Sequence, residues 1–579
     1  MSADLTGLRV AGGLDPAALE RRLTALGIQH FATRLWAHDD TLWGDDPAHR
    51  AVAANRLGWL DSPRKMLEAI DDLRAFAAEI VEFGFTHVVL LGMGGSSLAP
   101  EVLRRTLGVA THGLELTVLD NTSPAAVRAI DRSHDPKRTL FVVSSKSGGT
   151  IEVTSFEKHF FEWVSAVRGA SAGQSFVAIT DPHTSLEVLA GNRGYRRTFL
   201  NPPDIGGRYS ALSYFGMVPA ALIGADLEAL LAGALDEAER SGPKVPARSN
   251  PGIALGAALG DLAQAGRDKL SLVLGGGLEP LGVWIEQLVA ESTGKNGRGI
   301  VPVADEPLAG PEAYGDDRVF VSIHGGAPNA ATESKLDALE RAGHPVLRAR
   351  RASVDELGGE FLRWEIATAT AGAVLNVDPF DEPNVSEAKQ TTQAQLKFFL
   401  DRGAFVEPTP VSSGTPVAYA PATIAEMLIP RLEGSTSAAA WLGALLSLAK
   451  PGDYFAILAF LHRTRERHEK LERLRLAARS ATRLATTLGY GPRFLHSTGQ
   501  LHKGGPNTGI FLQITGEEGE DLPIPGERYG FAALRHAQAN GDYEVLERRG
   551  RRVMRVHLGT DLDRGLDDLI AAVESRARS

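Results

Sequence analysis

The chain has 579 residues, 43% of them hydrophobic and 23% charged, with a formal net charge of −10 and no cysteine. That length exceeds what one core can serve, so roughly three or four domains are expected, and the composition is that of a folded chain rather than a disordered one. The acidic balance argues against a nucleic acid as partner but leaves room for a small anion in a locally positive pocket. The lack of cysteine excludes disulfides, thiolate metal ligands and cysteine nucleophiles, and makes a reducing cytoplasm the simplest location. No basic and apolar leader pattern opens MSADLTGLRV, and no apolar run reaches the length of a membrane span, so a cytoplasmic protein without a membrane partner is expected.

Residues 1–84 are read as a helical segment, with helical apolar spacing between 15 and 82. Short apolar runs, the first ending in glycine, follow at 87–92, 116–119, 140–143 and 176–179, separated by helical stretches. Strands alternating with helices imply parallel βαβ units. The Pro-, Gly- and Ser-rich stretch 241–251 reads as a linker. Alternation then resumes with runs at 270–274, 319–323 and 345–347, a second unit of similar size without visible sequence repetition. A third α/β region has strand candidates at 455–460, 509–514 and 553–557. Its charged helix around Arg463–Lys470 mixes both signs, as a solvated face does. The boundaries expected are 1–84, 85–245, 246–405 and 406–579.

Five segments carry chemistry. Gly92-Met-Gly-Gly-Ser-Ser97 follows a strand and precedes a helix, so its backbone N–H groups can approach an anion. It has neither dinucleotide-fingerprint nor Walker spacing. Ser144-Ser-Lys-Ser-Gly-Gly-Thr150 also lies at a strand's C-terminal end, where open α/β sheets bind ligands. Capping of the next helix needs one hydroxyl, and Ser145, Ser147 and Thr150 offer three, which favours a phosphate cradle over a cap alone. Gly206-Gly-Arg-Tyr-Ser210 holds Arg208 where a fixed cation can stabilise an oxyanion. Gln287 and Glu291 share one helical face at the end of an apolar run, a base beside an amide. Taken alone, Glu291 reads more simply as an ion-pair partner of Lys295. Asp378-Pro-Phe-Asp-Glu-Pro opens a helix that carries Lys389, which alone is an ordinary surface lysine.

In this order the five segments resemble the glucose-6-phosphate isomerase (phosphoglucose isomerase) family, in the divergent form that some bacteria fuse to transaldolase. The resemblance covers roughly residues 85–395 and rests on Gly94-Gly-Ser96, on Ser145-Lys146-Ser147 with Thr150 and Glu152, and on Gly206-Gly-Arg-Tyr-Ser210. Gln287 with Glu291-Ser-Thr-Gly-Lys295, and Phe380-Asp381 with Lys389, complete it. It implies an α/β fold of two sugar-isomerase (SIS) parallel-sheet α-β-α sandwich subdomains, with the C-terminal α/β region beyond them. It also implies reversible conversion of glucose 6-phosphate to fructose 6-phosphate through a cis-enediolate, in glycolysis and gluconeogenesis. Gly95, Ser96, Ser145, Lys146, Ser147 and Thr150 would bind the phosphate end and Gln287 would orient the sugar. Glu291 would carry the proton, Arg208 would stabilise the enediolate, and Lys389 with a histidine would open the ring. No cofactor or metal is implied.

The family's histidine after its Glu-Ser-x-Gly-Lys element is missing here: residues 301–314 contain none. The string Leu495-His-Ser-Thr-Gly-Gln-Leu-His502 offers a replacement, with His502 expected in the role and His496 the alternative. Family members pair as homodimers, and the third region standing in for part of that interface would allow a monomer. Too few residues precede the first strand for a transaldolase barrel, so no transaldolase activity is expected. An isomerase for mannose or amino-sugar phosphates and a non-catalytic sugar-phosphate sensor are the competing readings. The joint presence of Glu291, Arg208 and Lys389 favours the enzyme.

Overall fold

A computed structural model describes residues 3–5, 8–351 and 353–578. The chain starts with β1 (Ala3–Leu5) and β2 (Leu8–Ala11), then runs as helices to Glu82. Next come β3 (His87–Gly92), β4 (Glu115–Leu119), β5 (Thr139–Ser144), β6 (Phe176–Thr180) and β7 (Arg197–Leu200). The second group is β8 (Lys269–Gly275), β9 (Val301–Val303), β10 (Arg318–Gly325) and β11 (Val346–Arg351). The third is β12 (Val417–Tyr419), β13 (Tyr454–Ala459), β14 (Ala485–Tyr490), β15 (Gly509–Thr515) and β16 (Arg552–His557).

These strands build three sheets, ordered β4-β3-β5-β6-β7, β1-β2-β11-β10-β8-β9 and β12-β16-β15-β13-β14. All neighbours in the first sheet are parallel. In the other two, antiparallel pairing is confined to the edges, at β1-β2-β11 and β12-β16. The α/β architecture of two parallel-sheet units plus a C-terminal α/β region is therefore the observed one. The early strand pair was not legible in the helical reading of the first segment; it adds the start of the chain to the edge of the second sheet.

Alternate strand residues enter different cores. Val88 and Leu90 join Leu140, Val142 and Val177 on one face, while Val89 and Leu91 join Phe141, Val143 and Phe176 on the other. β13 splits in the same way, with Phe455 and Ile457 on one face and Ala456 and Leu458 on the other. Strands covered on both faces read as continuous apolar runs, which is why these were the ones visible in the sequence. Each fully buried valine or leucine contributes about 1.5–3 kcal/mol.

The 241–251 stretch is not a flexible linker. Ser241 and Asn250 are wholly buried. The Ser241 carbonyl accepts from Trp36 Nε1 at 2.8 Å and from Asn250 Nδ2 at 2.9 Å. Asn250 Oδ1 caps the helix Pro251–Gln264 by accepting from Ile253 N–H. The two ends of the stretch are thus fixed by buried capping chemistry, while Pro243, Lys244, Pro246, Arg248 and Ser249 between them are exposed.

The third sheet is docked on both others. From the helix Arg465–Thr482, Arg475 donates to the Ala304 carbonyl and Arg479 to that of Pro307, each at 2.8 Å. The helix Phe531–Arg548 packs on the first unit, with Phe531 stacked on Phe156 at 5.8 Å. In the first sheet the connections reverse direction between β3 and β5, and the crevice at such a switch point is where open α/β sheets hold ligands.

Candidate active site

Both loops at that crevice come from the predicted segments. The 93–97 turn is pressed against three other parts of the chain. Gly94 has φ +53°, and a Cβ on it would lie 2.7 Å from the His496 carbonyl oxygen and 2.9 Å from Gln287 Nε2. A Cβ on Gly95 would lie 2.0 Å from the Gly207 carbonyl oxygen. Only glycine permits this approach. Ser96 is buried, and its carbonyl accepts from Ser144 Oγ at 3.1 Å.

The Ser145–Thr150 loop leads into the helix Ile151–Arg168. Thr150 occupies the N-cap position but makes no side-chain capping hydrogen bond. Its hydroxyl instead lies 3.0 Å from Ser145 Oγ. Ser147, Gly149 and Thr150 line a cleft with Lys389, His496, Glu152 and Gln538. Lys146 takes no part: its ammonium is ion-paired with Asp181, beyond the end of β6, and donates to the Pro203 carbonyl at 3.2 Å. The expected phosphate ligand is thus an internal clamp in this structure.

Glu291 and Gln287 lie on the helix Leu281–Thr293, and both are buried. Gln287 Nε2 donates to Glu291 Oε2 at 3.1 Å and to the His496 carbonyl at 2.8 Å. Arg208 Nη1 is 3.4 Å from Glu291 Oε1 and 3.1 Å from Glu382 Oε2. Its other donors reach Ser292 Oγ at 2.9 Å and the carbonyls of Pro379 and Asp381 at 2.7 and 2.9 Å. Burial pushes the Glu291 carboxyl above the usual carboxylate range; Arg208 opposes that shift and Glu382 adds to it. A raised carboxylate suits a base working near neutrality. Burial works against the Arg208 charge, but Glu291 and Glu382 outweigh it and hold the guanidinium firmly protonated.

Lys295 does not pair with Glu291. Its ammonium donates to the carbonyls of Asp378 and Asp381 and pairs with the Asp381 carboxylate. Burial, with Arg208 nearby, lowers its pKa to about 8. Arg208 and Lys295 thereby hold the 378–382 turn from two sides. Phe380 locks the same turn by packing edge-on against Trp43 at 4.8 Å.

The histidine that lines the cleft, His496, comes from the third unit. His496 follows β14 in a short 3-10 turn, and its Nε2 lies 2.9 Å from Glu152 Oε1. Gln538 Nε2 donates to the same oxygen at 2.8 Å. Burial raises the proton affinity of Glu152, but the charge and hydrogen bond of His496 prevail and leave the carboxyl below its ordinary range. Lys389 adds a smaller pull in the same direction.

His502, the expected residue, is elsewhere. It is 3% exposed and packed against the rings of Phe511, Phe494 and Tyr454 at 5.2, 6.1 and 6.2 Å. Its Nδ1 has no hydrogen-bond partner among the described residues, and burial drives its pKa well below the ordinary histidine value. The six-residue helix Gly499–Gly504 turns it into the core under the third sheet. The structure therefore brings together Gly95, Ser96, Ser145, Ser147, Thr150, Gln287, Glu291, Arg208 and Lys389, adds His496, Glu152 and Gln538, and leaves out His502 and Lys146.

Comparison with known proteins gives the family. The phosphoglucose isomerase family model matches residues 54–299. The glucose-6-phosphate isomerase of Rubrobacter xylanophilus is 31% identical over 436 residues, 65% of this chain and 95% of that protein. A glucose-6-phosphate isomerase of Thermus thermophilus is 36% identical over 190 residues, 32% of this chain and 44% of that protein. A crystal structure of a hypothetical protein from Thermus thermophilus superposes with a TM-score of 0.56 at 26% identity, covering 67% of this chain and 99% of that one. A glucose-6-phosphate isomerase from Chlamydia trachomatis shares the fold, with a TM-score of 0.53 at 19% identity over 69% of this chain and 90% of that one. The chain belongs to the phosphoglucose isomerase (glucose-6-phosphate isomerase) family.

Proposed function

We propose that this chain interconverts glucose 6-phosphate and fructose 6-phosphate, with Glu291 as the base that moves a proton between C2 and C1. The observation that carries the reading is the convergence of Glu291, paired with Arg208, and His496, paired with Glu152, through the single amide of Gln287.

Ser145, Ser147 and Thr150, with the N-terminal turn of the helix Ile151–Arg168, hold the phosphate. The Thr150 hydroxyl, which makes no capping bond, and the exposed Gly149 and Ser147 support that role. Binding energy spent on the phosphate positions the sugar carbons at the base. His496, oriented by Glu152, works with Lys389 on the ring oxygen and the anomeric hydroxyl during ring opening. Glu291 then removes the C2 proton and returns it at C1. The negative charge of the cis-enediolate faces Arg208, whose geometry is fixed before the reaction by Ser292 and the 379–381 carbonyls. Gln287 holds Glu291 by donating to its Oε2.

All of these groups belong to one chain, so a monomer carries the full constellation and no partner subunit has to complete it. On this reading the protein works in the cytoplasm on soluble sugar phosphates, in glycolysis and gluconeogenesis. The test is direct: purified chain mixed with glucose 6-phosphate yields fructose 6-phosphate, and the reverse from fructose 6-phosphate. Binding of either sugar phosphate with no interconversion overturns the proposal.

A further inference from the structure

The three sheets share one topology. In each, a central strand is followed by a neighbour on one side and then by strands on the other: β3 then β4 and β5, β8 then β9 and β10, β13 then β14 and β15. Each sheet therefore has a switch-point crevice at its C-terminal edge, the standard ligand position of such folds. The first crevice holds the candidate active site. The third opens into a cavity of about 500 Å³ at the ends of β13, β15 and β16, lined by Phe460, Thr515 and His557.

This cavity has a built polar wall. Arg535, Arg555 and Asn540 line it and are 8%, 3% and 6% exposed. Arg555 donates to Gln513 Oε1 at 2.6 Å, to Asn540 Oδ1 at 2.7 Å and to the Ala539 carbonyl at 3.1 Å. Arg535 is ion-paired with Glu518 and donates to the Gly516 carbonyl at 3.3 Å. Asn540 Nδ2 is buried with no hydrogen-bond partner among the described residues. A buried amide N–H without an acceptor is costly, and one that faces a cavity can be satisfied by a ligand atom.

A carboxylate from outside the wall already sits against these cations. Glu407, exposed on the connection after the helix Pro383–Arg402, lies 2.5 Å from His536 Nε2 and 3.7 Å from Arg555 Nη1. Its carboxyl is held below the usual range, first by the neighbouring His536. The spot therefore stabilises an anion. A single carboxylate pairs by charge with His536 and Arg555, yet His536 Nε2 and Asn540 Nδ2 both lack a hydrogen-bond partner among the described residues. A tetrahedral phosphate, with more acceptor oxygens, can meet all three, and the cavity leaves room for the rest of a small metabolite.

We propose that the crevice of the third sheet is a second ligand site, for a small phosphorylated metabolite whose phosphate takes the place of the Glu407 carboxylate against Arg555, His536 and Asn540. The site is separate from the candidate active site, yet the same helix, Phe531–Arg548, carries Asn540 at one and Gln538, which donates to Glu152, at the other.

The test uses the full chain with inorganic phosphate as probe, read by hydrogen exchange of peptides spanning 515–519 and 531–540. Phosphate slows exchange in these peptides in the wild type. Glu407→Gln reaches half-maximal protection at roughly fivefold lower phosphate, the scale of one exposed charge pair removed. Asn540→Leu abolishes protection there and keeps it in 145–150. Absence of phosphate-dependent protection at 515–519 in both wild type and Glu407→Gln overturns the proposal, as does protection unchanged by Asn540→Leu. Should Asn540→Leu fail to fold, Glu407→Gln decides alone: tighter binding supports the site and unchanged binding overturns it.

Discussion

Replacing His496 with alanine removes the imidazole whose Nε2 lies 2.9 Å from Glu152 Oε1, and two consequences can be separated. The first is chemical. A positioned acid–base group contributes about 10²–10⁴-fold, or about 3–5 kcal/mol of barrier at about 1.36 kcal/mol per tenfold. The second is structural. Glu152 is 3% exposed and keeps only the Gln538 amide at 2.8 Å. Removing one partner of a buried ion pair costs about 3–5 kcal/mol when the remaining charge stays ionised. Because the folded-state pKa of Glu152 is depressed, its stabilisation is present above the ordinary carboxylate value and is lost as pH falls through the folded one. The stability deficit of His496→Ala is therefore largest near neutrality and narrows in acid. The double variant His496→Ala, Glu152→Gln takes away the buried charge, so it regains stability but not turnover. His502→Phe replaces a ring already packed among aromatics and keeps near-wild-type turnover. The assay is kcat/KM for glucose 6-phosphate, with thermal midpoints measured on each variant across pH. A folded His496→Ala within tenfold of wild type, or a folded His502→Phe as damaged as His496→Ala, refutes the assignment.

Two further outcomes follow from individual contacts. Thr150→Val deletes a hydroxyl that makes no capping bond and only one part-buried hydrogen bond, to Ser145 Oγ, so the thermal midpoint falls only slightly. The lost hydrogen bond to a charged phosphate, about 1.5–3 kcal/mol, raises KM by roughly ten- to hundredfold with a smaller effect on kcat; an unchanged KM counts against the cradle. Glu365 is buried with both carboxyl oxygens unpartnered among the described residues, and burial raises its pKa well above the ordinary value. Its contribution to stability is present below the ordinary carboxylate value and is lost as pH rises through the folded one, by about 1.4 kcal/mol per pH unit between the two. Glu365→Met is then more stable than wild type at about pH 8, and the gain shrinks toward acid; a pH-independent difference in denaturation midpoints contradicts this.

The long apolar strands were legible because both faces are buried, as in β3, β5 and β13. Those missed are short, edge or polar: β7 reads Arg-Thr-Phe-Leu, β9 contains a proline, and β14 is Ala-Thr-Thr-Leu-Gly-Tyr. In the site, Glu291, Arg208, Gln287 and the Ser145–Thr150 loop stand out because glycines and hydroxyls cluster at strand ends. Lys146 looked like part of that cluster, but its partner Asp181 lies beyond the end of the next strand, a contact with no local signal. The choice between His496 and His502 was open in the string itself. One available rule points to His496: it lies in the loop at the C-terminal end of a parallel strand, whereas His502 lies one element later. Glu152 was visible as part of the segment that carries the family resemblance, but its pairing with a histidine of the third unit had no local signal. Gln538 had no signal, since its role depends on how the third unit docks on the first.

Deuterium incorporation tests the central claim, proton transfer by Glu291, most directly. Glucose 6-phosphate incubated with the wild-type chain in deuterated water should be recovered with deuterium at C2, and a folded Glu291→Gln should leave C2 unlabelled while still binding the sugar phosphate. Exchange at C2 that persists in Glu291→Gln would contradict the account.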